Sequence, residues 1–134
     1  MATGLENLKI YQLASRLEIE VHMLTNLFPK DERFRSIDQL KRSSASISNN
    51  IAESYHRRSI KEKVRILGDI AKGEAEETKR NLAICLEKGF HQNSAIIDKY
   101  TVLMKMISGY IRFLKTLSEQ GRAEQTNLKT YKPK

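Results

Sequence analysis

The sequence predicts an all-α protein, an antiparallel up-down-up-down four-helix bundle. Four segments repeat apolar residues at helical spacing, none alternates them as a half-buried strand does, and capping boxes precede three of the four. The chain has 134 residues, 40% hydrophobic and 30% charged, which suits one soluble domain with a core. With prolines only at Pro29 and Pro133, a loop-rich fold is excluded.

The first helix is expected over residues 4–28. Thr3 and Glu6 have capping-box spacing, and Ile10, Ala14, Leu17, Val21, Leu24 and Phe28 share one face, which Leu13, Met23 and Leu27 widen. Pro29 ends it, because a residue before proline is pushed out of the helical region. The second helix, 37–56, follows a box at Ser36 and Gln39 and buries Ile37, Leu40, Ser44, Ile47 and Ile51. Its many small residues (Ser43, Ser44, Ala45, Ser46, Ser48, Ala52) admit a close neighbour. Serines are indifferent helix formers, so tertiary packing must hold this segment.

Ser59 and Glu62 cap the third helix, 60–88, whose core face is Ile60, Val64, Leu67, Ala71, Ala75, Thr78, Leu82 and Cys85. Gly68 and Gly73 inside it each cost up to about 1 kcal/mol against alanine, so close packing or a bend is expected there. Gly89 suits the position that ends the helix. Asn93 or Ser94 caps the fourth helix, 94–120, with Ile96, Tyr100, Leu103, Ile107, Tyr110, Leu114 and Leu117 inward and Gly121 closing it. The bundle is thus expected over 1–121, with 122–134 a disordered basic tail.

A lone cysteine, Cys85, excludes a disulfide framework and points to a reducing compartment. The longest uncharged run, Ser43 to Ala52, is far too short to span a bilayer, and the N-terminus lacks the pattern of a secretory signal. The expectation is a cytoplasmic protein with no membrane partner.

Little in the chain suggests catalysis. Glu53 and His56 form one Glu-x-x-His pair, whereas di-metal bundles use two such pairs and two further glutamates. Cys85 falls on the core face and reads as a small apolar residue. No glycine-rich phosphate loop or serine elbow occurs. No catalytic residue, cofactor or metal is expected. A metal-dependent enzyme using Glu53 and His56 is the alternative, and a purely structural protein-binding scaffold a third reading.

The charge is more informative. Twenty-four Lys and Arg against sixteen Asp and Glu leave +8, which favours anionic partners, nucleic acid above all. Arg57, Arg58, Lys61, Lys63 and Arg65 cluster at the turn between helices two and three, at one end of the bundle. They are candidates for phosphate contact. Equally, cations there complement the dipole of helix two. Only Tyr55 is interleaved for base stacking, so sequence-specific binding has little support. At about 100° per residue, Arg42, Ser46, Asn49 and Glu53 line up opposite the apolar stripe of helix two, with Arg35 extending the row and Asn50 beside it. These directional hydrogen-bonding groups fit a polar subunit contact as well as a solvated face.

The run Gln39-Leu40-Lys41-Arg42-Ser43-Ser44, then Ser46-Ile47, Asn50-Ile51-Ala52-Glu53 and Arg57 or Arg58, followed by Ile70-Ala71-Lys72-Gly73, Glu77, Leu82 and Gly89, resembles a known signature. It is that of the bacterial four-helix-bundle family encoded in intervening sequences of 23S ribosomal RNA genes. The resemblance covers Leu8 to Leu117; Ser54 and Glu74 depart from the usual Gly and Ser. It implies a homopentamer of mostly unassigned role. By analogy with the related accessory proteins of diversity-generating retroelements, it also implies RNA or DNA and a reverse transcriptase as partners. It transfers no catalytic residue.

Overall fold

The computed structural model describes residues 4–130, with side chains described to residue 121. It contains four helical rods: α1, Lys9–Thr25; α2, Asp38–His56; α3, residues 60–87, built of the consecutive segments Ile60–Arg65, Ile66–Ala71 and Lys72–Glu87; and α4, Ser94–Thr130. No strand occurs among the described residues.

Each rod packs on two others, α1 and α3 both lying against α2 and α4. Neighbours touch in opposite chain order. Gly4 meets Tyr55 while Glu18 meets Ser48; Ser43 meets Thr78 while Tyr55 meets Lys63; Glu20 meets Lys99 while Ile10 and Met106 border one hollow. Leu17, Val21, Leu40, Ile47, Ile51, Leu67, Leu82, Ile96, Tyr100, Leu103 and Ile107 fill the centre, all fully buried. Burying each aliphatic side chain among them contributes roughly 1.5–3 kcal/mol, the main force holding the rods together. The small residues of α2 act as expected: Ser43 and Thr78 hydroxyls meet at 2.7 Å in the buried α2–α3 seam. Ser54 satisfies itself on its own helix, donating to the Ile51 carbonyl at 2.7 Å.

The helix ends depart from expectation in four places. Residues 4–7 form a 3-10 turn instead of the first turn of α1, which begins at Lys9 after an extended Leu8. Gly4 sits at φ +58, and a Cβ there would collide with the Tyr55 hydroxyl, so glycine suits this close approach to the end of α2. Thr3 of the first capping box lies outside the described residues. α1 ends at Thr25, three residues before the expected 28, so Leu27 lies in the turn beyond it; Met23 and Leu27 do not widen the core stripe, being 67% and 73% exposed, beyond the arc that α2 and α4 cover.

The second capping box does not form. Ser36 lies within a π turn, Arg33–Ile37, where Arg35 leaves the helical region at φ −117 and ψ −107. Both the amide and hydroxyl of Ser36 donate instead to the Glu32 carboxylate, at 3.4 and 2.8 Å. The Ser36 hydroxyl holds that carboxyl below its usual range. Gly121, finally, does not end α4, which runs on to Thr130. One glycine in a helix costs only about 1 kcal/mol, and the following Arg, Ala, Glu, Gln, Leu and Lys are good helix formers. Residues 131–134 lie outside the described part.

Three other signals hold. The Ser59 hydroxyl accepts from the Glu62 amide at 3.0 Å, capping α3. Gly89, at φ +80, closes α3 in a Schellman motif: Phe90 N–H donates to Cys85 O and Gly89 N–H to Leu86 O, both at 3.0 Å. Asn93 caps α4, accepting from the Ile96 amide at 3.1 Å. Gly68 lies in the π segment Ile66–Ala71, the local irregularity that the two glycines suggested. Gly73 faces open space, and nothing in the structure explains it.

Candidate nucleic-acid and association surfaces

The basic cluster occupies the turn from α2 into α3, and most of it is already engaged. Arg57 pairs with Glu53 one turn earlier at 2.6 Å, and Arg65 with Glu62 at 3.1 Å. The Arg65 hydrogen bond and charge hold the Glu62 carboxyl low, and Glu62 in turn raises the Arg65 guanidinium. Lys63 donates to the Ser54 and Tyr55 carbonyls at 3.2 and 2.8 Å, and its ammonium lies 5.6 Å from the Tyr55 ring centre. It therefore stabilises the orphan carbonyls and negative dipole at the end of α2. Among the described residues Arg58 and Lys61 form no ion pair or hydrogen bond, and both are exposed. Lys61 borders a shallow hollow with Lys115 and Glu119.

The polar stripe of α2 holds its register from Arg42 to Glu53 but not back to Arg35, because the π turn breaks the helical phase there. Asn50 donates to the carbonyl and hydroxyl of Ser46 at 2.8 and 3.0 Å, and Glu53 is held by Arg57. Arg42 and Asn49 are exposed. Arg42, Ser43 and Ser46 face Glu74 and Glu77 of α3 across a cleft of about 220 Å³. Burial and then the neighbouring Glu77 raise the Glu74 carboxyl, against a smaller opposing effect of Arg42.

Glu53 and His56 lie on the outside of α2, the carboxylate spent on Arg57 and the imidazole edge-on to Tyr55. Among the described residues no three His, Cys, Asp or Glu side chains gather where a metal could be held. Cys85 is buried, and burial raises its thiol, which disfavours the nucleophilic thiolate. His91 is structural: one ring nitrogen lies 2.9 Å from Leu82 O, and Nδ1 accepts from the Asn93 amide at 3.1 Å. The first nitrogen therefore carries the proton. The ring stacks on Phe28, pinning the α3–α4 loop to the end of α1.

A second basic surface does not show as a run in the sequence. Between α3 and α4 runs a groove of about 470 Å³ lined by Lys72, Lys79, Thr101, Met104, Lys105, Ser108 and Arg112. Four of these seven are cations and none is acidic. Among the described residues none of the four forms an ion pair or donates a side-chain hydrogen bond. The only linear signal is spacing, since Lys72 and Lys79 stand seven residues apart on α3, as do Lys105 and Arg112 on α4.

Among the described residues no helix is long and apolar enough to cross a membrane. No curated protein matches the chain. A family model does, described as 23S rRNA-intervening sequence protein and matching residues 6–109. That match covers α1, α2, α3 and the first half of α4, so both basic regions except Arg112 fall within it, and the chain belongs to the 23S rRNA-intervening sequence protein family.

Proposed function

We propose that the protein is a non-enzymatic, self-associating adaptor, a cytoplasmic pentamer that holds nucleic acid weakly by its phosphates. The observation that carries this reading is the positive surplus of +8, displayed by exposed cations such as Arg58, Lys61, Lys105 and Arg112 that have no ion-pair partner among the described residues. Phosphates attract such a surface without specifying sequence.

Self-association is supported by exposed apolar side chains. Ile19 and Met23 follow one another at four-residue spacing on α1, exposed Leu27 lies in the turn just beyond it, and Val102 and Phe113 are half exposed on α4. Apolar rows of this kind mark contact surfaces. The α2 stripe offers Arg42, Ser46, Asn49, Asn50 and Glu53 for polar contact, and the family resemblance supplies the number five.

Light scattering on the native protein tests the assembly. A particle of five 15.5 kDa chains is expected, and a 15.5 kDa particle throughout the micromolar range contradicts it. Retention of RNA or DNA at about 50 mM salt, falling steeply as salt rises, tests the second half; no retention at that salt contradicts it.

A further inference from the structure

We infer that the groove between α3 and α4 binds the phosphodiester backbone of single-stranded nucleic acid. The inference rests on the nucleic-acid reading above and gives it a site that the linear charge cluster does not. Lys72 and Lys79 rise on one wall, Lys105 and Arg112 on the other. On each wall the two positions are about 10.5 Å apart at 1.5 Å per residue. A single phosphate cannot reach both ends of such a row, whereas a chain of phosphates runs along it. Among the described residues no carboxylate lines the groove, so its walls present positive charge to a ligand.

The remaining lining fits a strand held by its backbone. Thr101 and Ser108 supply hydroxyls to the groove, and Met104 supplies an apolar contact. No aromatic ring lines it, so bases have no stacking platform and recognition is sequence-tolerant. The groove is open along its length, and the flexible backbone of a single strand can follow both rows of cations, which the fixed curvature of a duplex matches less well.

The test uses the full chain and a fluorescently labelled oligouridylate, followed by anisotropy across a salt series. Replacing Lys72, Lys105 and Arg112 together with Gln should weaken binding at least about tenfold at about 50 mM salt. It should also reduce the slope of log affinity against log salt by about 2, from three lost contacts at about 0.7 each. A control that removes three cations elsewhere (Arg16, Lys30 and Arg33 to Gln) should cost far less and separates a site from net charge. Circular dichroism checks that both variants are folded. If the Lys72 variant misfolds, the single replacements Lys105→Gln and Arg112→Gln, both exposed, carry the same test. A duplex of matching length should bind more weakly than the single strand, and tighter duplex binding overturns the single-strand assignment. If the wild type binds and the groove variants bind equally well, or the control loses as much, the groove assignment is overturned while the broader reading stands. If the wild type binds nothing, the broader reading falls first.

Discussion

The α2–α3 turn and the α3–α4 groove carry similar numbers of cations and use them in opposite ways. At the turn the cations are close in sequence, and so are the partners of three of the five: Arg57 finds Glu53, Arg65 finds Glu62, and Lys63 closes the end of α2, which leaves Arg58 and Lys61. In the groove the cations come from two helices, and among the described residues no carboxylate pairs with them. Charges that neighbours in the chain neutralise support the fold. The groove cations, which only tertiary packing brings together, remain free for a partner.

That contrast sets expected outcomes of decreasing size. Lys63→Met leaves two helix-end carbonyls without their charged donor and should cost about 2 kcal/mol in chemical denaturation, with nucleic-acid affinity nearly unchanged. Ser59→Ala, which removes the α3 cap in the same region, should cost about 1 kcal/mol. Lys105→Gln should do the reverse, altering stability by less than about 0.5 kcal/mol while weakening strand binding several-fold. Stability unaffected by Lys63→Met but lowered by Lys105→Gln would invert the comparison.

Smaller effects follow from titration. Arg65 holds the Glu62 carboxyl low, so the folded state releases that proton more readily than the unfolded chain. The resulting stabilisation is present above the ordinary carboxyl range and is lost as pH falls through the lowered value. Glu62→Gln should therefore flatten the acid side of a stability–pH profile. Glu74 has the opposite sign. Burial raises it, so its ionisation opposes folding as pH climbs from the ordinary carboxyl range through the raised value. Glu74→Gln should gain stability at neutral pH relative to acid pH, read from thermal midpoints.

Much of the fold was legible in the sequence, because core positions recur with the period of the helix. The stripe positions Ile10, Ala14, Leu17, Val21, Leu24 and Phe28, and Ile96, Tyr100, Leu103, Ile107 and Leu114, are buried as their spacing predicts, whereas Tyr110 is half-buried and Leu117, expected inward, is 42% exposed. What escaped was decided by neighbours instead of period. Ser36 has no capping role because it lies inside the π turn Arg33–Ile37, which runs into α2 without an extended cap residue. Met23 and Leu27 are apolar yet exposed because α2 and α4 do not reach that side of α1. For the candidate surfaces, the cluster at Arg57–Arg65 was visible as a run, but its internal pairing was not. The groove was invisible because Lys72 and Arg112 lie forty residues apart, and only the antiparallel contact of α3 with α4 makes them neighbours.

The role of the groove is tested most directly by footprinting lysines with an amine-reactive reagent, with and without a single-stranded oligouridylate, and reading modification by mass spectrometry. Lys72, Lys79 and Lys105 should be protected by the strand, while Lys61 at the end of the bundle should react as it does in the free protein. Protection of Lys61 with the three groove lysines unchanged would contradict the assignment and return the site to the turn between α2 and α3.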